Sequence, residues 1–438
     1  MLRAATAGPV DLFTLHRRFP GRYPFLLQSA APHPQAARYD LLFAFPGDAI
    51  ELRADSRMDF FGDLNRAFRR ERDDVSNELP FAGGWFILLG YEAARLIEPR
   101  VHLQRSPFRL PDALAVRCPA AIIYDRHTET AHAIAERDPA QIETMSADLR
   151  STGAHSVRPG PLTEPATEDD PERYRAGVRA ILEYLRAGDV FQVNLSRRWQ
   201  APLREGVSHC DLYDALRSRN PAPFAGLAWW QNSAVVSSSP ERLVHIEGDR
   251  VQTRPIAGTR PRAADPSEDR RQIEKLMASI KERAEHIMLI DLERNDLGRV
   301  CESGSVEVDE LMTTESYAHV HHIVSNVAGR LRSEAGPGDV LRAVFPGGTI
   351  TGCPKVRAME IIAELEGVGR GPYTGAMGYL CRSGRLDMNI LIRSLVCEDG
   401  TVTFRAGGGI VADSDPDAEL AEARAKARGL LLALGAAA

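Results

Sequence analysis

From residue 171 onward, short apolar strands and amphipathic helices follow one another without the even strand–helix–strand spacing of a parallel sheet. The helical pattern PERYRAGVRAILEYLRAGD, closed by Gly188, runs into a strand at Val190–Trp199. Further strands are predicted at Phe224–Trp230 and Ala234–Ser237. TRPIAGTRPR, Thr253–Arg262, is broken by prolines and reads as a loop with three arginines, and a long helix is predicted to start after Asp265. Parallel neighbours need a crossover of a dozen or more residues between every pair of strands. No repeating βαβ unit and no internal repeat supply those crossovers, so the pattern predicts an α+β fold.

The 438 residues suffice for one large domain or two ordinary ones, and 44% apolar content builds a sizeable core. Residues 1–158 form an amino-terminal region with short strands at Phe25–Leu27 and Leu41–Phe45 and a charged helix over Asp59–Glu78. A turn and strand follow in Phe81–Pro99, and a strand pair in Ala115–Ala135. The proline- and acid-rich run PGPLTEPATEDD places a linker or surface loop at 159–170. Residues 171–438 then form the catalytic region. A net charge of −6 gives no electrostatic reason to expect nucleic acid or an anionic membrane as partner. The most apolar stretch, Phe81–Tyr91, falls short of the ~20 residues that span a bilayer. The charged N-terminus does not read as a secretory signal. Six cysteines without a CxxC pair suggest neither a zinc site nor a disulfide framework, so a reducing cytoplasm is expected.

Chemistry concentrates in two acidic pairs. In KERAEHIMLIDLERNDLGRV, Lys281–Val300, Glu282 and Glu285 stand three residues apart and leave one face of a helix. Like charges so spaced cost an isolated helix roughly 0.2–0.5 kcal/mol. Lys281 and Arg283 are expected to point elsewhere, so a cation should sit between the carboxylates. Glu419 and Glu422 repeat the spacing, with Lys426 one turn further on and Gly407–Gly409 just upstream. Oxygen-only ligands suit Mg²⁺, which takes one or two protein carboxylates and completes its shell with water and an anionic substrate. A solvated helix face with an ordinary Glu422–Lys426 pair remains the alternative. Only Lys275, Lys281, Lys355 and Lys426 among 54 basic residues are lysines, a hint that a compact ammonium is needed where they stand.

FPGGTITGCPKVRAMEIIAELE, Phe345–Glu366, joins a glycine-rich turn to a helix expected to bury Val356, Met359, Ile362 and Leu365. It is not a P-loop, because Cys353 and Pro354 follow Gly352 where that motif needs lysine. In RAGGGIVADSDPDAEL a strand ends in three glycines, which let the backbone approach a ligand closely, and a carboxylate on their N–H groups is expected. VHHIVSN, Val320–Asn326, reads as a strand whose histidines fit no metal spacing and by default are buried structural groups. Tyr373 and Arg393 offer a hydroxyl and a bidentate fork for a second carboxylate.

Taken together, DVFQVNLSRR, SSSPERL, TRPIAGTRPR, KERAEHIMLIDLERNDLGRV, HHIVSNVAGRL, the Phe345–Glu366 run, YTGAMGYL and AGGGIVADSDPDAELAEARAKA resemble the chorismate-utilising family. That family comprises the large subunits of anthranilate and aminodeoxychorismate synthases and the isochorismate and salicylate synthases. The resemblance runs in order through Tyr174–Leu431. It is weaker in PFLLQSA (Pro24–Ala30) and GGWFILLGYE (Gly83–Glu92). It implies two facing antiparallel sheets with helices packed outside and the active site between the sheets. It also implies that Glu285 and Glu422 hold Mg²⁺, with Glu282 and Glu419 beside them, against the ring carboxylate of chorismate. Gly407, Gly408, Gly409 and Lys426 would seat that end, and Tyr373 and Arg393 would take the enolpyruvyl carboxylate. His322 and Thr259 would line the ring, and Glu241 would be the general acid for the departing 4-hydroxyl. Where water-using members carry a lysine base this chain has Gln192, which implies an ammonia user. Ammonia would come from a glutamine amidotransferase small subunit, forming a heterodimer.

Within the family, FPGGTITG and the doubled histidine resemble the aminodeoxychorismate synthases, which predicts amination at C4 on the way to 4-aminobenzoate and folate. Many of those enzymes read PIKGT, with a lysine that attacks C2, and here Ala257 stands in that place. The alternative is an anthranilate synthase, which adds ammonia at C2. A Mg²⁺-dependent sensor is the reading from outside catalysis. Glu241, Glu285, Glu422 and Lys426 speak against it, because a binder needs no proton donor opposite its metal.

Overall fold

The computed structural model describes residues 1–29, 38–73, 78–151, 158–263, 265–316 and 320–435, with the backbone alone at Thr259 and Val320. Four helices start from an Asp-Pro step: Pro139–Arg150, Pro171–Ala187, Pro266–Ala278 and Pro416–Leu434. In each the aspartate side chain accepts from a first-turn backbone N–H, and proline fills the position whose own N–H would be orphaned. Gly188, Gly367 and Gly435 end three helices in the left-handed conformation.

Strands assemble into two sheets, of 12 and 10 strands, and every recorded pairing is antiparallel. The larger runs in space from Leu2–Ala7 through Thr130–Ala135, Ala120–Asp125, Tyr39–Ala44, Phe25–Gln28, Phe224–Trp230, Ser233–Ser239, Ser394–Glu398 and Thr401–Ile410 to Gln192–Pro202 and Gly352–Cys353. The smaller runs from Ile256–Pro261 through Val320–Arg330, Arg250–Thr253, Arg242–Glu247, Leu386–Ile390, Ala376–Cys381 and Gly84–Leu89 to Ala113–Cys118 and Ala49–Leu52. Each sheet thus contains strands from both sides of residues 159–170.

Three apolar cores explain the layering. One joins Phe25, Phe43 and Ile123 of the larger sheet to Phe86, Leu114 and Met377 of the smaller, with Phe25 stacked on Phe86 at 4.0 Å between ring centroids. The sheets therefore face each other, and aromatic stacking adds to the burial there. A second core lies between the larger sheet and Pro171–Ala187, His209–Arg219 and Pro416–Leu434. The third lies between the smaller sheet and Phe60–Glu71, Ile280–Gly298 and Pro337–Val344. Helices cover the outer faces of both sheets, as the resemblance implies.

Local expectations needed correction in several places. Thr253–Arg262, expected as a loop, contains the edge strand Ile256–Pro261, because Pro255 precedes the strand and the edge leaves Pro261 without a required donor. The long helix after Asp265 is two helices, Pro266–Ala278 and Ile280–Gly298, separated by Ser279, whose side chain accepts from the Glu282 N–H at 3.3 Å. Val356, expected inside, is exposed, while Met359 and Ile362 are buried. The charged helix expected over Asp59–Glu78 spans Phe60–Glu71, and residues 74–77 lie outside the described residues. Among the described residues no helix is long and apolar enough to cross a membrane.

Candidate active site

At one end of the space between the sheets the apolar core gives way to a cavity of about 680 Å³. Its walls come from five places. Gln192 and Asn194 stand on one strand, and Arg405–Gly409 on the strand paired with it. Ala257 and His322 face in from the smaller sheet. Glu282 and Glu285 descend from the Ile280–Gly298 helix, and Glu419, Glu422 and Lys426 from the C-terminal helix. Glu241, Thr349, Tyr373 and Arg393 close the far end from loops. All the predicted site residues except Thr259 therefore line one cavity. Thr259 pairs with His322 through the backbone, and its side chain is outside the described residues.

The glycine run is strand rather than strand end. Gly407, Gly408 and Gly409 pair with Ser196, Leu195 and Asn194. The neighbouring strand Ser394–Glu398 stops opposite Phe404, so from Arg405 onward the ladder continues on one side only. A Cβ on Gly408 would lie 3.3 Å from Lys426 Nζ, 3.5 Å from Glu419 Oε2 and 3.7 Å from Glu422 Oε1. Gly408 thus marks the point of the sheet to which the C-terminal helix brings three charged groups. The need for glycine is stricter at Gly409, where a Cβ would lie 2.3 Å from Gln192 Nε2.

The four glutamates sense one another without converging. Burial raises the Glu285 pKa, Lys281 opposes that, and Glu282, Glu419 and Glu422 raise it further. The same forces raise Glu419: burial first, then Glu422, against a hydrogen bond from Ser414 at 2.6 Å. Glu422 is held by Lys426 at 2.7 Å, and Glu282 lies 3.4 Å from Arg260. Lys281 does not point elsewhere as expected, since its ammonium is 3.9 Å from Glu285 along the i,i+4 direction of the helix. Glu285 Oε1 is buried and accepts no hydrogen bond. An ionised oxygen in that position is costly unless something positive meets it. No three of the four residues bring oxygen atoms within 4.8 Å of one another. A donor set of separated carboxylates fits a hard cation that takes one or two protein ligands and leaves the rest to water and substrate.

The opposite end is built on desolvation. Burial lifts the Glu241 pKa to about 7, against a hydrogen bond from Thr349 Oγ1 at 2.8 Å and the charge of Arg393. A carboxylic acid so tuned can donate a proton near neutrality. Burial lowers the Arg393 pKa, the Glu241 charge opposes this, and no ion pair engages the guanidinium among the described residues. Its backbone sits at φ 51°, a strained setting for a side chain of this size. His322 donates from Nδ1 to the Gly258 carbonyl at 3.1 Å, and burial lowers its pKa to about 4, so it is a neutral imidazole. His321, on the other face of the strand, meets Asp269 at 2.9 Å instead.

Comparison with known proteins gives the family of the chain. The family model described as chorismate binding enzyme matches residues 23–432. The chain belongs to the chorismate-binding enzyme family. It is 42% identical to the Synechocystis anthranilate synthase component I-like protein, over 93% of this chain and 86% of that protein. It is 36% identical to aminodeoxychorismate synthase component 1 of Escherichia coli strain K12, over 91% and 90%. Among solved structures, anthranilate synthase component I from Streptococcus pneumoniae superposes with a TM-score of 0.81 at 30% identity, covering 91% of this chain and 93% of that one.

Several residues of this chorismate-binding enzyme shape the cavity without a sequence signature. Thr349 lies in a glycine-rich turn, and its hydroxyl donates to Glu241. Asn194 lines the cavity with an Oδ1 that finds no donor. Arg405 and Arg370 both bind Glu366, at 2.8 and 2.6 Å, in a buried group that also takes the Ser196 hydroxyl and supports the floor of the cavity. Of the four lysines, Lys281 and Lys426 line the cavity, whereas Lys355 pairs with buried Asp296 and Lys275 with Glu268 on the surface.

Proposed function

We propose that this chain is the chorismate-converting component of an anthranilate synthase, turning chorismate and ammonia into anthranilate, pyruvate and water. The observation that carries this reading is position 257. The cavity wall there presents an alanine, and the two cavity lysines are each turned to a glutamate, Lys281 to Glu285 and Lys426 to Glu422. An attack on C2 by an enzyme amine needs an unpaired amine at that wall. Without one, ammonia itself is the nucleophile for C2. The names of the relatives support the same choice: anthranilate synthase component 1 recurs among them at 38–49% identity, against 36–41% for aminodeoxychorismate synthase component 1. The preference for aminodeoxychorismate drawn from the PGGT and double-histidine signals yields to it.

In this reading Arg393 and Tyr373 bind the enolpyruvyl carboxylate, and Glu241, neutral below about pH 7, protonates the departing 4-hydroxyl. Neutral His322 lines the ring without adding charge. Glu285 and Glu422 would hold Mg²⁺, with Glu282 and Glu419 beside them. The ion supplies positive charge for the ring carboxylate when bound. Lys426 and the open edge of Gly407–Gly409 add donors at that end. Ammonia would reach the site from a glutamine amidotransferase subunit.

One observation favours the second reading, aminodeoxychorismate synthase: the E. coli enzyme of that name aligns over 91% of this chain. Incubation with chorismate, Mg²⁺ and ammonium salt separates the two. Anthranilate formed by the chain alone supports the proposal. A product that yields 4-aminobenzoate only after aminodeoxychorismate lyase is added overturns it.

A further inference from the structure

A second cluster of ligand-type side chains lies on the other side of the larger sheet, and none of its members lines the cavity. His16, on Phe13–Arg18, meets His209 and Cys210, the first two residues of the His209–Arg219 helix. One ligand atom from each lies within 4.8 Å of the other two, and among the described residues no other three His, Cys, Asp or Glu side chains do this. His16 Nε2 is 3.0 Å from His209 Nε2, which is 3.5 Å from Cys210 Sγ. Tetrahedral zinc, with Zn–N near 2.05 Å and Zn–S near 2.3 Å, separates N from N by about 3.3 Å and N from S by about 3.6 Å. Both recorded separations are within a few tenths of an ångström of those values, and the ligand atoms of His16 and Cys210 lie within 4.8 Å of each other.

The surroundings are arranged as they are around metal ligands. His16 Nδ1–H donates to the Tyr23 carbonyl at 2.7 Å, which fixes the tautomer and turns Nε2 toward the cluster as an acceptor. Metal-ligating histidines are oriented by such a bond from the other ring nitrogen. The His209 ring stacks on Trp229 at 15° and meets His16 edge-on at 79°. His16 and Cys210 are buried, and burial keeps both imidazoles neutral, with pKa values lowered to about 3 and about 4. Neutral imidazole is the ligating form, so only the thiol has to lose a proton; burial pushes that thiol up to about 12, and the bound cation must supply the charge that offsets it.

We propose that His16, His209 and Cys210 form a binding site for one thiophilic d¹⁰ cation, Zn²⁺ being the probe of choice. Without metal, the proton on His209 Nε2 bridges to His16 Nε2. On binding, that proton moves to His209 Nδ1, the Cys210 proton passes to solvent, and one Zn–S and two Zn–N bonds form. With His16 193 residues before His209, no spacing motif reveals the site in the sequence.

The test uses the full chain, stripped with a chelator and held in excess Mg²⁺ so that the carboxylate sites are occupied. Zinc uptake is read by competition with a chromophoric chelator, and Co²⁺ serves as a spectroscopic substitute. One Zn²⁺ per chain is expected, together with a thiolate-to-cobalt charge-transfer band that disappears in Cys210→Ser. His209→Gln keeps every cysteine and is expected to bind Zn²⁺ at least 100-fold more weakly. Neither change should alter chorismate turnover with ammonium, which also reports that the variants fold. The proposal is overturned if the wild-type chain takes up no stoichiometric zinc, if the cobalt band persists in Cys210→Ser, or if His209→Gln binds as tightly as the parent.

Discussion

Glutamate is used in opposite ways at the two ends of the cavity. Glu241 is buried, held by one hydroxyl and near the charge of Arg393, and burial pushes its pKa to about 7. Glu282, Glu285, Glu419 and Glu422 stand as a group, partly open and flanked by Lys281, Lys426 and Arg260, and repulsion adds to burial in raising Glu285. The first setting makes a carboxyl that carries a proton. The second keeps negative charge concentrated until a cation arrives. Side chains of equal chemistry in free peptides thus acquire different proton affinities and charge settings by environment alone, which suits the proposed acid at one end and the proposed cation site at the other.

The largest effect is expected where the proton is carried. Glu241→Gln keeps the shape and loses the acid, so turnover should fall by roughly 10²–10⁴-fold while chorismate binding, followed by fluorescence titration, stays within a few-fold. A binding loss with normal turnover would reverse the assignment of the two ends. In the parent enzyme kcat/KM is expected to fall as pH rises through about 7, because the ionised carboxylate cannot donate. The residual activity of Glu241→Gln should lack that limb.

A smaller effect, of about tenfold or more in the Mg²⁺ concentration giving half-maximal activity, is expected from Glu285→Gln, comparable to the loss on disturbing a metal site. Without Mg²⁺ the same change should stabilise the fold, since it removes a buried charge that its neighbours repel. Added Mg²⁺ should raise the Tm of the parent and leave that of the variant nearly unchanged. If Mg²⁺ acts equally on both, Glu285 is not a ligand.

How far these two ends could be read in advance differs for a physical reason. The acidic pairs are local: three-residue spacing on a helix puts both carboxylates on one face, and the spacing is written in the chain. That the two helices line one cavity follows from long-range sheet pairing, which only the family resemblance supplied. Thr349 on Glu241 was invisible, because a threonine in a glycine-rich turn has no signature until the turn is folded. The strand Ile256–Pro261 was hidden by its prolines, which an edge strand tolerates and a central one does not. Lys281 stands four residues before Glu285 and shares its helix face, so the local spacing itself carries the contact that the expectation of a side chain pointing elsewhere misses.

Ala257 stands between the two ends, and Ala257→Lys tests whether the wall between them directs where nitrogen enters. A lysine there, desolvated near His322, has the nucleophile that an attack on C2 by the enzyme requires. The fraction of product that appears as aminodeoxychorismate is expected to rise several-fold at the expense of anthranilate, as measured by mass. Unchanged products would place control of regiochemistry elsewhere in the cavity, with Gln192 and Asn194 next to be tried.

The last effect is on stability rather than on turnover, and its sign follows from linkage. Glu241 ionises near 4.5 in the unfolded chain and near 7 when folded, so the folded state holds the proton more tightly. Its contribution is intact below about pH 4.5 and is lost as pH rises to about 7, a loss on the order of 3 kcal/mol once both states are ionised. Glu241→Gln has no charge to bury, so its Tm should match the parent at low pH, exceed it increasingly between pH 4.5 and 7, and keep a constant lead above that. Glu285 lies at the open end, where Lys281 compensates part of the cost, so Glu285→Gln measured without Mg²⁺ should show the same sign with a smaller lead. Equal leads would mean that the cavity holds both carboxylates in the same dielectric, and that the division between proton carrier and metal ligand is set by the substrate rather than by the protein.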